Sequence, residues 1–277
     1  MRLSRYTVPG VILIALLLVT SRARAITYGF VDTTNAFSNT GAFIVKAPGG
    51  SIFPICSGTL IAPGVFLTAS HCTLFYERDL APDGYTALVS FDSPIPFGDL
   101  TSRTTKLVTV TEVVTNPGYN AAQADSGDIA VLLVDARQTR GITPATLPAA
   151  GLLDTLSAQN GLKGTIYTAV GYGLQNRVTG GGTPFFEDRN PVPRMYAFSS
   201  FDSLNGGYLR LSMNPATGDG GTCFGDSGGP NFLNVGGTRT LVAITITGDA
   251  VCRATNVVYR LDIASARAFL APYVTLP

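Results

Sequence analysis

Gly220-Gly221-Thr222-Cys223-Phe224-Gly225-Asp226-Ser227-Gly228-Gly229-Pro230 is the stretch on which the reading of this chain turns. A serine stands between an aspartate and two glycines, four residues after a cysteine. Glycines permit backbone conformations and close approaches that a Cβ forbids. Asp-Ser-Gly is also ordinary turn chemistry. A serine hydroxyl becomes a nucleophile only when a base takes its proton and a third group orients that base. The choice between turn and nucleophile therefore rests on what lies upstream.

Two upstream segments supply the missing groups. Val65–Thr68 is a short apolar strand that leads into Ala69-Ser70-His71-Cys72, and His71 is the one histidine in 277 residues. Imidazole takes and returns protons near neutral pH, so His71 is the candidate base. Further on, Ile129–Val134 is apolar on both faces and reads as a buried strand. Asp128 precedes it and needs a hydrogen-bond donor if it enters the interior. Asp125 is the competing acid.

The three segments, in the order His71, Asp128, Ser227, resemble those of the chymotrypsin-like (trypsin-fold) serine proteases. The family shows Thr-Ala-Ala-His-Cys where this chain has Thr68-Ala69-Ser70-His71-Cys72. It shows Asp-Ile-Ala-(apolar)-Leu where this chain has Asp128-Ile129-Ala130-Val131-Leu132, and Gly171-Tyr172-Gly173 resembles its Gly-Trp-Gly. The resemblance implies an all-β fold of two packed antiparallel β-barrels with a C-terminal helix, the site lying between them. It implies Ser227 as nucleophile, His71 as base and Asp128 as its orienting acid, with the amides of Gly225 and Ser227 as oxyanion donors. Cys56 pairs with Cys72 and Cys223 with Cys252 on the same grounds. An N-terminal Ile26 amine would pair with Asp226.

The resemblance also places Gly221 at the base of the primary substrate pocket, with Thr222, Gly248 and Val257 on its walls. Members that prefer Lys or Arg carry an aspartate at the base, because a buried cation needs a countercharge. Gly221 predicts small or medium apolar side chains instead, and Val257 predicts a shallow pocket. The family's Ser-Trp-Gly beside the pocket is replaced by Ile246-Thr247-Gly248. The support that serine gives the catalytic aspartate is therefore lost, or comes from Thr245 or Thr247.

Charged residues are 13% of the chain, with 31 glycines and 17 prolines, a composition suited to many short strands joined by turns. The net charge of +1 is no footprint for nucleic acid. Arg2 and Arg5, the apolar run Val11–Val19 and the small-x-small site Ala23-Arg24-Ala25 read as a secretory signal peptide over 1–25. A membrane anchor is the alternative, but the apolar run falls short of the ~20 residues that span a bilayer. Cleavage after Ala25 removes four arginines and no acids, taking the formal charge from +1 to −3, and leaves Ile26 as the new N-terminus.

These readings predict a protease domain over 26–277, with barrels at about 26–140 and 141–277. It acts as a monomer, extracellular or periplasmic, and is free of the membrane after cleavage. Its partners are protein or peptide substrates and protein inhibitors. The chemistry needs no metal and no cofactor, and the cysteines lack the Cys-x-x-Cys spacing of a zinc site. The rival readings are a protease-fold binding protein that has lost catalysis and an esterase with the same triad. Gln175–Arg194, rich in Gly and Pro, reads as a passive surface loop.

Overall fold

The computed structural model describes residues 26–96, 98, 105–178, 185–187 and 190–277, with backbone alone for 175–178 and 185–187. After the short β1 (Phe30–Val31) come β2 (Thr40–Lys46), β3 (Ile52–Ala62), β4 (Val65–Thr68), β5 (Thr86–Ser90), β6 (Val108–Thr115) and β7 (Ala130–Val134). These six, β2 to β7, close an antiparallel barrel in the order β2-β3-β4-β7-β6-β5, β5 pairing back onto β2. β8 (Ile166–Gly171) follows, then a hairpin of β9 (Gln175–Val178) and β10 (Phe185–Glu187). The chain continues through β11 (Met195–Leu204), β12 (Tyr208–Ser212), β13 (Pro230–Val235), β14 (Thr238–Gly248) and β15 (Thr255–Arg260). A second antiparallel barrel runs β8-β11-β12-β15-β14-β13 and closes through the β13–β8 pairing, with β1 added along β11. Closure leaves neither barrel a long open edge. The α-helices are α1 (Ser70–Phe75), α2 (Leu152–Ala158) and the C-terminal α3 (Ala264–Leu270).

The two barrels share an apolar core. Phe43, Phe66, Val89 and Leu132 of the first belong to one buried cluster with Val170, Phe232, Ile244 and Tyr259 of the second, and Ala266 and Leu270 of α3 join it. Burial of this surface is what fixes the barrels against each other.

Several elements differ from the sequence reading in instructive ways. Gly58-Thr59 reads as a break between a strand over Ile52–Ser57 and one at Leu60–Ile61, yet β3 runs through it. Gly58 lies where a Cβ would come 2.3 Å from the Phe66 ring, and Ser57 and Thr59 are fully buried. The residues are small because a ring and the other barrel press on them. α2, which no pattern announces, seats Leu153 in the second barrel's core, and the Leu153 amide donates to Asp262 at 2.8 Å. Of 175–194, residues 179–184 and 188–189 lie outside the described residues. Arg194, at the end of this span, is no passive surface residue: its side chain is fully buried against Asp32.

Candidate active site

His71 stands in the first turn of α1, immediately after the buried β4 and Ala69. The first N–H groups of a helix lack partners within it. Asp128 supplies one: its Oδ1 accepts from the His71 amide at 2.9 Å while its Oδ2 meets His71 Nδ1 at 2.8 Å. One carboxylate thus holds both the backbone and the ring. Both hydrogen bonds to Asp128 among the described residues come from His71. Neither Thr245 nor Thr247 of β14 donates to it, and the Thr245 hydroxyl accepts from Asn231 Nδ2 at 3.0 Å. The Asp128 side chain is 7% exposed and that of His71 31%. Tyr119 lies nearby, its phenol pushed up first by burial and then by the Asp128 charge.

Asp125 is engaged elsewhere. Its carboxylate accepts from the Tyr259 hydroxyl at 2.7 Å and from Ser265 at 2.5 Å, joining the first barrel's loop to α3. Of the two acids, Asp128 is the one that lies against the imidazole.

Sequence reasoning noted Ser70 only as a departure. Its hydroxyl donates to the Ile129 carbonyl at 2.7 Å and accepts from the Asn116 amide at 3.1 Å. It ties α1 to the residue after Asp128. The Cys56–Cys72 disulfide ties the same turn to β3. The Cys56 and Cys72 sulfurs lie within 4.8 Å of a His71 nitrogen, but both are in the disulfide and offer no thiolate to a metal.

Ser227 lies in the loop before β13. Gly225 has φ +93°, and a Cβ there would fall 3.0 Å from Gly173 Cα, so both conformation and space select glycine. The loop's amides are mostly accounted for. Cys223 N donates to Asp226, Asp226 N to Cys223 O, Gly228 N to Thr245 O and Gly229 N to Asp226 O. Among the described residues, the amides of Gly225 and Ser227 have no acceptor. Two unengaged donors in the loop that carries a serine can hold a developing negative oxygen.

Asp226 is fully buried, and its carboxylate accepts from Gly173 N and Cys223 N at 2.8 Å each. Burial pushes its pKa up to about 7. Ile26 is also buried, packed on Met195 and Ala197, and Thr27 bridges to Gly221. Residues 26 and 27 thus dock beside the residues that lead into the serine loop. In the intact chain the Ile26 nitrogen is a peptide amide, not an ammonium.

His71 and Ser227 line one cavity of about 330 Å³ with Thr222, Phe224, Ile246 and Gly248. The Cys223–Cys252 disulfide forms part of its wall. Gly221 and Val257, expected in the pocket, are not among its lining residues. Val257 pairs with Thr247 across β14 and β15. A Cβ on Gly221 would sit 2.2 Å from both Cγ and Sδ of the fully buried Met213, whose sulfur accepts from the Thr222 amide at 3.1 Å. Met213, which the sequence reading did not single out, packs beneath Gly221 and against the lining residue Thr222.

The family model described as Trypsin matches residues 30–268. Chymotrypsin-like elastase family member 1 of Canis lupus familiaris is 29% identical over 201 residues, covering 71% of this chain and 71% of its own. The protein of that name from Felis catus is 30% identical over 203 residues, 71% and 69% of the two chains. Vitellin-degrading protease of Bombyx mori is 28% identical over 179 residues, 63% and 61%.

Proposed function

The chain belongs to the trypsin family and is a serine endopeptidase, and from that premise we propose that it cleaves through Ser227, His71 and Asp128. The observation that carries this is that Ser227 and His71, the latter held by Asp128, line one cavity, with two amides of the serine loop left without acceptors. Asp128 engages Nδ1, which leaves Nε2 of His71 for the serine proton. Ser227 Oγ attacks the peptide carbonyl as His71 accepts that proton, and the amides of Gly225 and Ser227 take the oxyanion. His71 then protonates the leaving amine, and water releases the acyl group by the reverse roles, as the family is known to do. A fluorophosphonate probe should add once, at Ser227, and Ser227→Ala should lower kcat by at least about 10⁴-fold. A probe that adds elsewhere, or an active Ser227→Ala variant, would refute the assignment.

We assign the primary specificity to small or medium apolar side chains. Met213 beneath Gly221 supports this, because an aspartate at 221 would overlap it, and the mammalian relatives are named as elastases. Met213→Ala should deepen the pocket and raise kcat/KM for Phe and Tyr over Ala and Val. Met213→Leu, which keeps the volume, should leave the profile in place. A peptide library read with all three proteins checks this, and a strong Arg or Lys preference in the native protein would overturn it.

Residues 1–25 act as a secretory signal, so that cleavage after Ala25 exposes the Ile26 amine to Asp226. The mature domain is 26–277, exported to an oxidising compartment. An intact mass beginning at Ile26 tests the cut. One residue added ahead of Ile26 should sharply reduce activity.

A further inference from the structure

We propose that Ser57, on the first barrel, is a positioning residue whose hydroxyl sets the oxyanion donors of the second barrel; this rests on the reading of Ser227 as nucleophile. Ser57 is fully buried in β3, directly after Cys56. Its amide donates to the Ser227 carbonyl at 2.9 Å. Its hydroxyl donates to the Gly225 carbonyl at 3.0 Å and accepts from the Tyr172 amide at 2.9 Å. Its own carbonyl accepts from Thr68 Oγ1 at 2.9 Å, three residues before His71. One residue therefore grips the carbonyls of the two residues whose amides bear the oxyanion, and touches the strand that carries the base.

The grip has a purpose that packing alone does not explain. Gly225 lacks a Cβ and can rotate its flanking peptides at little cost. The Ser57 hydroxyl fixes the Gly225 carbonyl from outside the loop and so limits that rotation. Space is kept for it by glycines. A Cβ on Gly171 would come 2.9 Å from Ser57 Oγ, and one on Gly229 3.2 Å from Ser57 Cβ. Without the hydroxyl, the buried Tyr172 amide and the half-buried Gly225 carbonyl lose a partner, and the serine loop loses one of its ties to the first barrel. Small misplacements of oxyanion donors are expensive in rate and cheap in ground-state binding.

The test compares native protein and Ser57→Ala with an amide substrate and with a peptidyl trifluoromethyl ketone, whose hemiketal oxyanion occupies the same two amides. Expected for Ser57→Ala is a fall in kcat of about 10- to 100-fold with KM within about twofold. The ketone should lose affinity in the same ratio, and fluorine NMR should show its hemiketal pKa rising by about one to two units. If Ser57→Ala does not accumulate folded, Ser57→Cys, which keeps the shape with a weaker donor, carries the same comparison. Unchanged kcat overturns the proposal, as does a loss of kcat with ketone affinity and titration unmoved, since that is a merely structural effect. A native protein that forms no hemiketal at Ser227 overturns the catalytic reading and the proposal together. A native hemiketal that the variant matches overturns the role of Ser57 alone.

Discussion

Asp226 shows how one buried group makes stability depend on pH. Burial pushes its carboxyl up to about 7, well above an unfolded aspartate near about 3.9. The folded chain therefore binds a proton there that the unfolded chain releases. A raised carboxyl pKa favours the fold fully below the unfolded value, and that favour is lost as pH rises through the folded one. With residues 1–25 attached and Ser227→Ala present to prevent self-cleavage, urea midpoints should fall between about pH 4 and pH 7. Asp226→Asn should flatten the slope over that window. Equal slopes in the two proteins would show that Asp226 does not titrate there.

At the scale of elements, α1 is six residues long and too short to hold itself. It is held by its neighbours: Asp128 at its first turn, the Cys72 disulfide, and Ser70 bridging to the Ile129 carbonyl and the Asn116 amide. Ser70→Ala leaves the buried Ile129 carbonyl and the half-buried Asn116 amide short of a partner, so unfolding should become easier by about 1–2 kcal/mol. kcat should stay within a fewfold, because Asp128 grips His71 by two bonds of its own. Denaturant unfolding and initial rates on the same preparation separate the two effects. A large kcat loss at unchanged stability would mean that Ser70 aims the imidazole itself.

Across the whole molecule, Arg194 joins three parts that are far apart in sequence. Its guanidinium pairs with Asp32 at 2.8 Å, and both side chains are fully buried. It also donates to Asn35, to the Thr40 and Phe91 carbonyls at 3.1 and 3.0 Å, and to the Tyr172 hydroxyl at 3.1 Å. The N-terminal segment, the first barrel and the end of β8 meet on this one cation. Burial raises the Tyr172 phenol, with Arg194 opposing. A buried ion pair is weak evidence of net stability, but breaking one strands a charge. Arg194→Met should cost about 3–5 kcal/mol in unfolding free energy, and Arg194→Met with Asp32→Asn should recover part of it. A single variant as stable as the native protein would contradict this account.

Local pattern carried much of this protein. The short apolar strand Val65–Thr68 and the apolar run Ile129–Val134 announce their elements because their pattern is written in neighbouring residues. The motifs around His71, Asp128 and Ser227 announce the family, and both disulfides followed from it. Distance through space is written nowhere in the chain. That Asp128 rather than Asp125 meets His71 depends on Tyr259 and Ser265, more than 130 residues away, holding Asp125. Ser57 reads as the end of a strand, and only the packing of one barrel on the other turns it into a clamp on Gly225 and Ser227. Met213 reads as the end of a strand, and only the fold puts its sulfur beneath Gly221. The residues and their chemistry came from the sequence; their partners were decided by the tertiary structure, because burial and hydrogen bonding are settled by what the folded chain brings within about 3 Å.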